Sequence, residues 1–229
     1  MYELLLKDFG LCRNVLKGGV FALLVPYIAV IVYRPNAYGL TAEQEIEFYS
    51  MGLLKASQTG VWLSMLTIAF LGGFIVAGER RDGSAEFLAF LPPSRSSILL
   101  SKAIVCIAWM IVVATVYFSV TDLIVPWISN GDYVYRPTGR AIWLVVAMMF
   151  SVFGTSWLFS TLLDSAEMAV LVGLVIPYPG VITLSVLFQV VLGWEVKGAE
   201  MNHYTWMCLI FGAATFVGGC WHYTSRIEP

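Results

Sequence analysis

The segment Glu79-Arg80-Arg81-Asp82-Gly83-Ser84-Ala85-Glu86-Phe87-Leu88-Ala89-Phe90-Leu91-Pro92-Pro93-Ser94-Arg95 separates two long apolar runs with a dense cluster of charges. Charges at that density are too costly to hold in hydrocarbon. The segment therefore lies in water, and the runs on either side read as membrane spans. Asp82 or Ser84 can cap a short helix by accepting a bond from a free N–H of its first turn. Gly83 supplies the turn before it, Phe87, Phe90 and Leu91 recur at helical spacing, and Pro92-Pro93 stops the helix. A short helix with an apolar face, held between two spans on the water side, has nothing of its own to pack against. It reads as a docking element for another protein.

The rest of the chain has the composition of a multi-span membrane protein. Hydrophobic residues make up 59% and charged residues 12%, against roughly 45–50% and 25% for a soluble domain. The mean hydropathy is +0.80. A net charge of −2 offers no basic face to phosphates, so nucleic acid is not an expected partner. Cys12, Cys106, Cys208 and Cys220 lie in apolar surroundings without CxxC spacing, which supports neither a disulfide framework nor a metal site. The start, Met1-Tyr2-Glu3-Leu4-Leu5-Leu6-Lys7-Asp8, lacks a signal-peptide pattern. The loops are too short to fold alone, so residues 1–229 read as one transmembrane domain.

About 20 apolar residues are needed to cross the hydrocarbon core. Such runs fall near 18–33, 59–78, 103–125, 141–163, 168–192 and 206–223. The expectation is an all-α membrane protein with six transmembrane helices. Pro177-Tyr178-Pro179-Gly180 interrupts the fifth run, and each proline removes a donor and crowds the preceding turn. Residues 181–192 are then either a kinked continuation of the span or a separate short helix dipping into the outer leaflet. With both termini inside, eight basic residues are cytoplasmic and five external, the bias expected of a correctly oriented chain. Trp62, Trp127, Trp143, Trp194 and Trp206 then fall near the outer ends as interfacial anchors.

Two further helices are expected outside the spans. Residues 2–16 read as an amphipathic helix on the membrane surface, with Leu5, Phe9, Cys12 and Leu16 on one face and Glu3, Lys7, Asp8 and Arg13 polar. The plainer alternative is an extension of the first span. In the loop 34–58, Thr41-Ala42-Glu43-Gln44 forms a capping box ahead of Ile46, Tyr49 and Leu53, which predicts a short outer helix.

The segment 79–95 and the following Ser101-Lys102 resemble the loop after the second span in ABC-2 type permeases, the membrane halves of a large group of ABC transporters. The shared pattern runs Glu, a Gly-Ser or Gly-Thr step, Glu, a short apolar stretch, Pro, Ser-Arg and a Lys in the next span. Pro93 departs from it, since a small or β-branched residue is more usual there. The resemblance implies that this loop is a cytoplasmic coupling helix, between spans two and three, that fits a groove on an ATP-hydrolysing subunit. Glu79, Asp82, Gly83, Glu86, Phe87, Phe90, Leu91, Pro92 and Arg95 would form that contact, with Phe87, Phe90 and Leu91 apolar and Glu86 and Arg95 pairing charges. It further implies an exporter in the cell membrane, a second permease copy or a paralogue, and ATP-Mg bound by the partner ATPase.

No GxxxxGK[ST] occurs, nor a GxGxxG after a strand, so this chain itself is expected to bind no nucleotide or other cofactor and to have no catalytic residue. Asp122, near the outer end of the third span, is a candidate pathway residue, though Pro126 and Trp127 bring the water boundary close to it. Asp164 and Glu167 read as a solvated cytoplasmic turn or a second, smaller ATPase contact. Two other classes compete. A six-span intramembrane serine protease would use Ser156, in Gly154-Thr155-Ser156, with His222 as its base. Trp157 occupies a position that such enzymes keep small, and both residues fall toward the cytoplasmic half. A six-helix scaffold subunit without transport would carry the same loop. Gly72-Gly73, Gly173 and Gly218-Gly219 point to close helix contacts.

Overall fold

Hydrocarbon offers no hydrogen-bond partner, so a chain of this composition has to satisfy its backbone within helices or a closed barrel. The computed structural model describes residues 2–33, 41–81, 95–129, 139–192 and 200–226, and the regular structure among them is entirely helical. The elements are α1 (Tyr2–Val32), α2 (Ala42–Arg81), α3 (Arg95–Phe118), a π-helical stretch (Ser119–Ile124), α4 (Val125–Ile128), α5 (Gly139–Leu162), α6 (Ala166–Val175), α7 (Pro177–Leu192) and α8 (Glu200–Arg226).

Four stretches are long and apolar enough to cross a membrane: Cys12–Val32, Ser97–Ile128, Ala141–Leu162 and Asn202–Ser225. The pair Ala166–Val175 and Pro177–Val190, bent by 42°, makes a fifth if it counts as one span. The described residues thus hold four to five candidate spans where the sequence suggested six. The remaining expected run, 59–78, lies inside α2. That helix is 40 residues long, about 60 Å at 1.5 Å per residue, so it extends well past a hydrocarbon layer of about 30 Å.

The two helices expected outside the spans are not separate elements. Residues 2–16 are continuous with the first span, as the plainer alternative held. Phe9, on the apolar face expected to lie against the membrane, is exposed, whereas Asp8, expected in water, is buried. The inward stripe runs instead through Asp8, Cys12, Val15, Gly19, Leu23 and Tyr27, at the three- and four-residue spacing of a helix face. The capping box forms as expected. The Thr41 N–H donates to Gln44 Oε1 at 3.1 Å, and the Gln44 N–H donates to Thr41 Oγ1 at 3.4 Å. Yet it starts the long α2 rather than a short outer helix.

Contacts between glycines and their neighbours set the centre of the bundle, where α5 packs most extensively on α8 and also on α2 and α6. A Cβ on Gly72 would lie 2.9 Å from the Ser156 Cβ, and one on Gly73 would meet the Val170 backbone nitrogen at 3.0 Å. A Cβ on Gly173 would collide with Ser156, and one on Gly154 with the Gly212 carbonyl. Gly219 abuts Trp157. Phe153, Trp157 and Phe216 then fill the seam between α5 and α8, with ring centroids 5.4 to 5.5 Å apart. The glycine clusters read from the sequence are therefore contact points inside this chain.

The expected break falls where the prolines place it. α6 ends at Val175, α7 opens on Pro177, and Gly180 meets the ring of Phe211 on α8. At the start of α6, Ser165 caps the helix by accepting from the Met168 N–H at 3.2 Å, and its hydroxyl donates to Glu167. Glu167 and Asp164 are exposed, as a solvated capping turn requires.

Because the Ser156 backbone closes on Gly173, a methyl there overpacks the α5–α6 contact. Gly173→Ala is expected to cost about 1–3 kcal/mol, read as a lower melting temperature of the purified chain in detergent. An unchanged melting temperature would mean that these helices do not approach as described.

Candidate coupling site

The charged segment 79–95 connects α2, which ends at Arg81, to α3, which begins at Arg95. Asp82, Gly83, Glu86, Phe87, Phe90, Leu91 and Pro92 lie outside the described residues. Glu79 and Arg95 belong to α2 and α3, where only their backbone is described. The two helices that flank the loop pack against each other, and both pack against α1. A displacement of the loop therefore acts on two helices that share a third neighbour.

About two turns into α3, Ser101 and Lys102 face α1. Lys102 Nζ lies 3.5 Å from Asp8 Oδ1, and the Ser101 hydroxyl donates to Asp8 Oδ2. Asp8 is 5% exposed and Lys102 3%, so both charges are withdrawn from solvent. One turn further on, Cys12 and Cys106 lie on the same α1–α3 contact. Lys102 was legible as the last residue of the loop pattern, but its partner was not. The two are far apart in sequence, and Asp8 looked like one charge among several on a polar face.

At the other end of α3 the chain winds into a π-helical turn, in which the Val125 N–H bonds the Val120 carbonyl. The wider turn precedes Pro126, which has no N–H to continue an α-helical ladder. Asp122 sits in this turn, half-buried, and Thr121 Oγ1 lies 2.9 Å from both the Tyr117 carbonyl and an Asp122 carboxylate oxygen. Trp127 follows at 81% exposed. Trp62, Trp143 and Trp206 are exposed too, and Trp194 lies outside the described residues.

The break at Pro177 borders a cavity of about 450 Å³ between α2, α5, α7 and α8. Met65, Met148, Pro177, Tyr178 and Val181 line it, and no charged side chain does among the described residues. Tyr178 stacks on Trp62 with ring centroids 5.9 Å apart, tying the start of α7 to α2. Farther along α7, Ser185 Oγ lies 3.0 Å from His203 Nε2 on α8, with both residues buried. Sequence reasoning missed this pair, because nothing local links positions on two helices joined by a loop.

The serine protease arrangement is not assembled. Ser156 is buried and directed at Gly72 of α2 and Gly173 of α6. The side of α5 that meets α8, which carries His222, is formed instead by Gly154, Trp157 and Leu158. Ser156 acts as a small residue at a three-helix contact.

The profile described as "ABC-2 family transporter protein" matches residues 15–210. The chain belongs to the ABC-2 transporter family. No curated protein and no solved structure gives a significant match. The matched region of this ABC-2 chain takes in the docking loop, Ser101 and Lys102, and α2 to α7, while Asp8 precedes it. Members are membrane permease subunits of transporters, so this is a multi-pass membrane protein, and the family implies an ABC ATPase as partner.

Two substitutions separate these roles. Ser156→Ala removes a buried hydroxyl that has no hydrogen-bond partner among the described residues, so it is expected to leave thermal stability unchanged or slightly raised. A large loss of stability would show that the hydroxyl is bonded after all. Lys102→Met leaves Asp8 as a buried charge without its cation, and is expected to destabilise the chain by about 3–5 kcal/mol in denaturant titrations. A loss below about 1 kcal/mol, the value of an exposed pair, would show that the pair is wet.

Proposed function

We propose that this chain is the permease subunit of an ABC exporter, driven by ATP hydrolysis in a separate subunit. The observation that carries the reading is the family match across residues 15–210, which includes a charged loop slung between two long helices. On this reading the apolar run 59–78 of α2 is a further span, giving six in one domain, with both termini cytoplasmic and the protein in the cell membrane. Two permease chains, identical or paralogous, enclose the pathway. Two ATPase subunits bind ATP-Mg and seat the loops of residues 79–95.

The mechanism follows from how a ligand shifts a two-state equilibrium: it must make different contacts in the two states. ATP closes the ATPase pair, which draws the seated loops together. Phe87, Phe90 and Leu91 supply the apolar grip, Glu86 and Arg95 fix its orientation by charge pairing, and Gly83 and Pro92 bound the coupling helix. The loops turn α2 and α3, and the bundle reopens toward the outer side as a rigid-body motion. Asp122 stands at the outer end of the α3 span as a candidate pathway residue. The uncharged cavity beside Pro177, Pro179 and Gly180 suits an apolar portion of a substrate.

The test is co-purification. The tagged chain, extracted in mild detergent from its native host, is expected to bring a P-loop ATPase with it. Leu91→Asp puts a charge into an apolar groove and is expected to lose that ATPase while the chain still inserts and melts normally. Retention of the ATPase by Leu91→Asp would overturn the docking assignment.

A further inference from the structure

We infer that Asp8, Ser101 and Lys102 form a clamp that makes α1 move as one body with α3, so that α1 is the second recipient of motion delivered at the loop. The inference rests on the docking reading for the source of that motion, but the clamp itself is read from the α1–α3 contact. Three observations support it. The clamp stands about two turns from Arg95, where the loop enters α3, so little helix intervenes to absorb a displacement. It joins helices that are not consecutive, through a Lys–Asp pair at 3.5 Å and a Ser hydroxyl bonded to the same carboxylate. Both charges are buried.

Apolar helix contacts resist separation but slide readily by whole turns, since one ridge of side chains replaces another. A buried ion pair with a hydrogen-bonded third member does not slide. One turn of slip, about 5 Å, would strand each charge in a medium that cannot solvate it. Buried ion pairs contribute little to net stability and are best attested as devices that fix register. Here the register is that of α1 on α3. Besides the clamp, the described contacts of α1 with the moving helices include apolar and small residues, such as Gly19 against Thr67 and Trp109.

The experiment places spin labels on Phe9→Cys and Leu100→Cys, both exposed beside the clamp, with the native cysteines replaced by alanine. The labelled chain is diluted with unlabelled chain and assembled with its co-purified ATPase. Distances are measured without nucleotide and after trapping with ATP and vanadate. In the otherwise unmodified chain, and in the charge-swapped Asp8→Lys/Lys102→Asp, the label distance is expected to be the same in both states. In Asp8→Leu/Lys102→Met, which removes both charges of the pair together, it is expected to change by about one turn, roughly 5 Å. A nucleotide-dependent distance in the unmodified chain overturns the clamp, as does a fixed distance in the Leu/Met pair. Failure of the docking reading shows separately, as absence of any co-purifying ATPase. The same labels are then compared in the chain alone. A broader distance distribution in the Leu/Met pair than in the unmodified chain supports the clamp, and identical distributions overturn it.

Discussion

The approach of α5 to its neighbours governs this bundle. In lipid no hydrophobic effect drives helices together, because the tails around them are as apolar as the side chains. What remains is close packing, and it requires positions where the backbone itself is the contact surface. Gly72 and Gly173 receive Ser156 from two sides, and Gly154 meets the Gly212 carbonyl. With those distances set, the rings of Phe153, Trp157 and Phe216 fill the wider parts of the α5–α8 seam. The arrangement also explains why a serine in a Gly-x-Ser sequence has no nucleophilic role here. Its Oγ is pressed between two glycines, with no room for a substrate carbonyl.

Around that apolar centre the buried polar groups occupy particular junctions. Asp8, Ser101 and Lys102 join α1 to α3, Ser185 and His203 join α7 to α8, and Ser151 donates to the Cys208 carbonyl across the α5–α8 contact at 2.7 Å. Each ties helices that apolar packing alone would leave free to rotate or slide. In a medium of low dielectric a satisfied polar contact is strong and an unsatisfied one is costly. Such contacts therefore select one register among several of similar apolar energy.

The same layout separates rigid from yielding parts. The α5–α8 pair is the most extensively packed and carries the aromatic seam. α3 touches it less and, with α2, flanks the charged loop, while α1 packs on α2 and α3. The pair α6 and α7 is bent by 42° at its prolines, beside a cavity with no charged side chain among its described lining residues. A transporter of this family needs one region that holds its shape and others that change their contacts between two states. On the proposed function, the glycine seams would provide the first, and the loop-bearing helices and the bent α6–α7 pair the second.

Much of this was readable from residues alone. The polar insert at 79–95, the apolar runs, the break at Pro177-Tyr178-Pro179-Gly180, the Thr41–Gln44 cap and the family pattern all depend on local order along the chain. Local rules decide whether a segment is helical, where it starts and what it cannot cross. They did not decide which helices are continuous, because joining an amphipathic stretch to a span, or an outer helix to α2, is a question of what lies alongside. Nor did they decide which face of α1 turns inward. Asp8 is buried only because Lys102, 94 positions away, brings the opposite charge to it. The sequence by itself determined that this is a helical membrane protein of a transporter family with a charged segment between two apolar runs. Only the tertiary structure decided which charges could be buried, since the cost of removing a charge from water depends on the partner that distant chain segments supply.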